Sequence, residues 1–177
     1  MPQHRRRLDR VLDPDYLEGL ERLSLDELRE LRSTAVEVEN ELSYYRRLLY
    51  GRMDLVKFEQ RRRSGEEHRS LIDSLVDILT DSEREDRTEP RGTRHIVTDL
   101  PPLPEVGKRD IDEVMGDGVL TRLDKATADE LQASLDGFEK MVMEINTQRI
   151  AAQGVIDSLS DVIAERFKAE VSAPGDD

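Results

Sequence analysis

Hydrophobic residues enter this chain in two separated stretches that share one spacing. From Leu28 onward, Leu31, Ala35, Val38, Leu42, Tyr45, Leu49 and Val56 recur at alternating steps of three and four, interrupted at Arg52. Such a heptad seam belongs to a helix that buries one narrow stripe against another helix. Ser24 and Glu27 stand ahead of it at capping-box spacing, and Ser64-Gly65 punctuates its end, so the pattern predicts a helix over 25–63. A second capping pair, Thr127 with Glu130, opens a matching seam of Leu131, Leu135, Phe138, Val142, Ile145, Ala152, Ile156, Leu159 and Ile163, predicting a helix over 128–168. At 1.5 Å per residue the two helices measure ~58 and ~61 Å. Matched lengths favour pairing with each other, and the long intervening segment lets the chain return, so the pair is expected to run antiparallel.

The remaining segments are shorter or carry no period. Asp13 caps Pro14 in the pattern of a short helix over Pro14–Arg22, which places an N-terminal arm and short helix at 1–23 and the first long helix at 24–64. Leu71, Ile72, Leu75, Val76 and Leu79 give Glu66–Thr80 the character of an accessory amphipathic helix within 65–80. Residues 81–126 are charged and hold four of the seven prolines. They read as a long, partly disordered linker in which His95-Ile96-Val97 has local pairing potential. The second long helix fills 127–171, and the Pro- and Gly-containing tail, 172–177, should fray. The fold class expected is all-α, a long antiparallel coiled-coil hairpin with short accessory helices.

Composition agrees with a thin core. Only 36% of the 177 residues are hydrophobic and 38% are charged, too few apolar groups for a thick globular interior but enough for a seam between two or three helices. With no Cys, thiolate metal sites and disulfides are excluded, and His4, His68 and His95 lack the spacing of a metal site. Arg5, Arg6 and Arg7 precede no apolar run, and no window approaches a membrane span, so a cytoplasmic protein is expected. The net charge of −13 argues against direct DNA binding and suits a basic protein partner, or else simply confers solubility. No nucleophile with a nearby His, phosphate loop or metal cluster points to an enzyme; Gly116-Asp117-Gly118 is too short for a phosphate cradle.

The chemistry-bearing feature is a polar stripe beside the seam. Glu39, Ser43, Arg46, Tyr50 and Asp54 sit at offsets 0, 4, 7, 11 and 15, within roughly an 80° arc of one helix face. The second long helix repeats it 103 residues later (149 − 46 = 157 − 54 = 103) with Val142, Asn146, Arg149, Gln153 and Asp157, and Glu41/Glu144 and Gly51/Gly154 also coincide. Four identities in sixteen positions exceed the roughly one expected from composition, so the two stretches read as an internal repeat. Arg46 and Arg149 have no acid three or four residues away on their own helix, and neither Glu39 nor Asp157 has a base there. Gly51 and Gly154 leave a bare patch of backbone in mid-stripe at about 1 kcal/mol of helix propensity each.

These residue types suit guanine: a carboxylate accepts from N1 and N2, an arginine fork donates to O6 and N7 or to phosphate, and a tyrosine ring can stack. They suit equally a coiled-coil flank whose charges cross to the partner helix and set its register. The stripe resembles the signature E-x3-S-x2-R-x3-Q-x3-D of the RsiG family of actinobacterial anti-sigma factors. That resemblance covers both copies of the stripe and the long hairpin, though not the linker or the tail. It implies an antiparallel coiled coil that binds two molecules of cyclic di-GMP and, with them, a sporulation sigma factor of the WhiG type, related to flagellar sigma factors. It implies nucleotide-binding roles for Glu39, Ser43, Arg46, Tyr50, Asp54, Asn146, Arg149, Gln153 and Asp157. The chain departs from the signature at Tyr50, which replaces Gln, at Asn146, which replaces Ser, and at Val142, which replaces the leading acid, so that acid's role carries over to Glu39 alone. A nucleotide-independent coiled-coil adaptor or dimerisation protein is the competing reading.

Overall fold

A computed structural model describes residues 3–71, 73–74 and 118–172. Among them every regular element is helical: α1 (Gln3–Val11), the long α2 (Leu25–Ser64) and the long α3 (Ala128–Ser172), joined with 3-10 turns at Pro14–Leu17, Leu20–Arg22 and Leu120–Arg122. Ile72 and residues 75–80 of the amphipathic segment, most of the linker 81–126 with His95-Ile96-Val97, and most of the tail lie outside the described residues.

The long helices begin where the capping boxes put them. Ser24 Oγ accepts from the Glu27 amide at 3.3 Å while a Glu27 carboxylate oxygen accepts from the Ser24 amide at 2.8 Å. Thr127 and Glu130 repeat the exchange at 3.2 and 2.7 Å. Both reciprocal bonds satisfy amides that the first helical turn leaves open. α2 ends on Gly65 at φ 81°, where the Glu66 amide reaches Arg61 O and the Gly65 amide reaches Arg62 O, the left-handed closure that glycine adopts without a Cβ penalty.

Two differences from the sequence reading concern the N-terminal arm. A further helix, α1, precedes the expected one and is pinned to α2 by an Arg7–Glu37 ion pair of 2.8 Å. The stretch Pro14–Arg22 is not one helix but two 3-10 turns parted by Gly19 at φ 68°. The left-handed residue reverses the backbone, so that Tyr16 and Leu20 both bury and the Tyr16 hydroxyl donates to Leu31 O at 2.8 Å. Residues 118–126, the end of the stretch read as a linker, form a turn that buries Val119, Leu123 and Ala126.

The chain divides into two compact units. In the first, Leu28, Ala35, Val38 and Leu42 of α2 and Ala152 and Leu159 of α3 are buried together with Val11, Tyr16 and Leu20 of the arm. Arg32 bonds Ser160 and Gln153 bonds Glu39, and each pair of residue numbers totals 192, the constant sum of an antiparallel pair. In the second unit, Leu49, Met53, Val56 and Phe58 bury with Leu131, Leu135, Phe138, Val142 and Ile145. There Arg46 bonds Asn146 and Gln60 bonds Gln132, again totalling 192. Both units are therefore antiparallel pairings of α2 with α3, and the protein is an all-α helical hairpin.

The interruption at Arg52 disappears in the structure. A column of buried positions runs Leu42, Arg46, Leu49, Met53 and Val56, again in steps of four and three, with Met53 5% exposed, and Tyr45 buries beside it. Arg52 is half-buried beside them, and burial pushes its guanidinium down from the usual range.

Candidate functional site

The stripe arginines occupy the seam instead of flanking it. Arg46 falls between Leu42 and Leu49, and Arg149 fills the step left open between Ile145 and Ala152. Their residues are only 5% and 7% exposed. A guanidinium in a coiled-coil seam costs desolvation that an aliphatic residue would avoid, so it persists where its donors meet acceptors in fixed geometry.

Each unit builds one cluster around one arginine. In the first, Arg149 Nη1 lies 3.6 Å from a Glu39 carboxylate oxygen, and Gln153 Nε2 donates to the same oxygen at 3.3 Å. The Arg149–Glu39 pair is long for a charge-assisted bond, and Glu39 keeps 18% of its side chain exposed. Asp157 belongs to this unit but stands exposed on α3, eight residues and ~12 Å along the axis from Arg149. In the second unit, Arg46 Nη1 donates to Asn146 Oδ1 at 3.4 Å, and the Arg46 guanidinium carbon lies 5.7 Å from the centre of the Tyr50 ring, within cation–π reach. Ser43 and Asp54 are half-buried on α2 in the same unit. The structure thus gathers Glu39, Arg149 and Gln153 into one cluster and Arg46, Tyr50 and Asn146 into the other.

Both glycines of the stripe have open space where a side chain would stand: a Cβ built on Gly51 or Gly154 meets nothing within 4 Å. Along each stripe the groups offer planar donors at the arginine, mixed donors and acceptors at the amides, and carboxylate acceptors at Asp54 and Asp157. That set is fit to hold a flat, polyanionic, hydrogen-bonding molecule. Among the described residues no group of three or more His, Asp or Glu is placed to hold a metal ion, and no helix is long and apolar enough to cross a membrane.

Sequence reasoning missed two further arginines. In the second unit, Arg63 donates to Leu123 O at 2.7 Å and to Ala126 O, while its Nε donates to Glu59 at 2.6 Å. Glu59 is 5% exposed and also receives both arms of Arg62. The hydrogen bond from Arg62, reinforced by the bond from Arg63, holds the Glu59 carboxyl below the usual carboxylate range against the opposing effect of burial. In the first unit, Arg166 donates to Leu23 O at 3.0 Å and also reaches Leu20 O and Glu21 O. A signal for the pair was present, since 166 − 63 is again 103. The first unit also holds a groove of about 780 Å³ edged by Asp9, Asp13, Asp15, Glu18, Glu27 and Glu30.

Fold and site together define a helical-hairpin protein with one buried arginine cluster in each of its two units. Residues 14–83, a stretch that contains α2 and the first copy of the stripe, match the model of the family described as RsiG-like. That match points to an anti-sigma type of role, with a sigma factor as the general kind of partner. No curated protein matches the chain.

Proposed function

We propose that this protein is an anti-sigma factor that binds cyclic di-GMP through its two arginine clusters and, in that state, withholds a flagellar-type or sporulation sigma factor of the WhiG kind from RNA polymerase. The observation that carries the proposal is the placement of Arg46 and Arg149 in the seam. Each is held by neighbours able to orient a guanidinium, and each lies on a stripe whose remaining groups fit a guanine edge and a phosphate. Arg46 and Arg149 would meet phosphate or the O6/N7 side of guanine, Tyr50 would offer a ring for stacking, and Asp54 and Asp157 would accept from N1 and N2.

Charge supplies the link to the partner. Cyclic di-GMP is a dianion, so two molecules bring four more negative charges to a chain already at −13. A basic protein surface offsets them, and the surfaces with which sigma factors grip promoter DNA are basic. The acidic groove of the first unit adds a second feature of the same sign.

The competing reading, a nucleotide-independent coiled-coil adaptor, draws on the same burial, since a polar residue in a seam can serve register alone. Mixing this protein with a WhiG-type sigma factor on a sizing column, with and without cyclic di-GMP, separates the two. A complex only in the presence of nucleotide is expected. Equal complex in both runs would remove the nucleotide switch, and no heat in a cyclic di-GMP titration would favour the adaptor.

A further inference from the structure

The internal repeat is longer than the stripe that reveals it. At the same offset of 103, Leu17 and Leu20 correspond to Leu120 and Leu123, Ser24 and Glu27 to Thr127 and Glu130, Leu28 to Leu131, and Arg63 to Arg166. Local structure follows at the helix starts, where a reciprocal capping box opens each long helix.

The contacts of the two arginines obey the same correspondence. Arg63 donates to the carbonyls of Leu123 and Ala126, whose equivalents are Leu20 and Leu23, and those are two of the carbonyls that accept from Arg166. Within each unit, then, an arginine near the end of one long helix grips the turn that leads into the other. The same unit contains one of the arginine clusters, 17 residues from the gripping arginine in both cases (63 − 46 and 166 − 149), or ~26 Å along the helix.

We infer that Arg63 and Arg166 are duplicated register locks, positioning residues that fix the axial setting of α2 against α3 within their own units and so align the arginine cluster there; the functional half of this inference rests on the proposed nucleotide site. A seam of heptads needs such a device, because sliding one helix by seven residues returns apolar groups to apolar places and changes the packing little. Main-chain carbonyls freed at a turn occur once, so a fork that reaches two of them distinguishes the native setting from its slipped neighbours. The fork requires a planar guanidinium with several donors; a lysine ammonium is a point donor on a flexible stem. The two locks also differ. Glu59 braces Arg63, whereas Val162 stands at the corresponding place beside Arg166 and cannot accept a hydrogen bond.

The test uses the full chain, whose lack of cysteine makes engineered thiols specific. Gln60→Cys with Gln132→Cys reports the setting of the second unit, and Arg32→Cys with Ser160→Cys that of the first, since both pairs touch in the native structure. Crosslinking with a short bismaleimide is expected to fall several-fold at 60/132 in Arg63→Ala and Arg63→Lys while 32/160 holds, with the reverse for Arg166→Ala and Arg166→Lys. Far-UV circular dichroism should show helicity retained in the lysine variants. Unchanged crosslinking in all four variants, or full rescue by lysine, overturns the lock. Lost crosslinking with unaltered cyclic di-GMP affinity, in a protein that binds the nucleotide, overturns the link to the site. If the parent chain binds no nucleotide, the proposed function fails while the crosslinks still judge the lock.

Discussion

Replacing Arg149 with methionine distinguishes a ligand-gripping arginine from one that only sets register, and the structure explains why methionine is a better probe than alanine. Arg149 is 7% exposed at a seam position, so alanine would leave a hole whose packing cost, about 2–5 kcal/mol for a long buried side chain, obscures any loss of function. Methionine fills the seam and removes the charge. The substitution removes a long ion pair, 3.6 Å to a Glu39 that stays 18% exposed and keeps its bond from Gln153. Replacing both members of a buried ion pair by apolar groups is often neutral or stabilising by about 1–4 kcal/mol, whereas removing one partner of a fully buried pair costs about 3–5 kcal/mol. Here the Glu39 left behind is partly solvated, which holds the cost to about 1 kcal/mol, so thermal melting should fall by no more than about 2–4 °C for a chain of this size. Nucleotide binding should respond differently. Removal of one charged hydrogen-bonding partner costs about 1.5–3 kcal/mol, a ten- to hundred-fold loss of affinity. Isothermal titration with cyclic di-GMP on Arg149→Met and Arg46→Met, each checked by circular dichroism, reads this directly. Unchanged affinity in both folded variants would refute the placement of the site, and a large fall in melting temperature in both would return the arginines to a structural role.

Three further outcomes follow from other parts of the structure. Gly51→Ala and Gly154→Ala meet no steric obstacle and should each gain about 1 kcal/mol of helix stability; thermal melts should rise while titration shows weaker nucleotide binding if the bare backbone is a contact surface, and unaltered affinity would mean it is not. Ser24→Ala and Thr127→Ala each remove one half of a capping box and should cost about 1 kcal/mol in urea unfolding, with no effect on either arginine cluster. Because Glu59 titrates below its ordinary value of 4.5 in the folded chain, the stability it contributes is complete above that value and is lost as pH falls through the lower folded value. Urea melts at neutral and acidic pH should therefore show a smaller acid-induced loss for Glu59→Gln than for the parent chain, and equal losses would contradict the buried charge at that position.

Local rules sufficed for much of this protein. Capping-box spacing located both long-helix starts because the bonds that define it join residues three apart, and heptad spacing identified the apolar seams because an exposed helix cannot hold so many aliphatic groups on one side. The shared stripe was legible as a repeat for the same reason: a helix converts sequence offset directly into position on a face. What sequence could not settle was that two adjacent columns share the interior. Tyr45 and Arg46 are each 5% exposed, and of Arg52 and Met53 it is Met53 that packing put inside, as it put Arg149 between Ile145 and Ala152. Gly19 is likewise a residue that a helix tolerates at modest cost, and its left-handed turn between the buried Tyr16 and Leu20 was not legible in the pattern. The locks at Arg63 and Arg166 were least visible, because their acceptors are main-chain carbonyls that every residue carries. Side-chain periodicity records which groups are apolar; the pairing of a donor with a backbone oxygen sixty or more residues away is decided only when the helices meet.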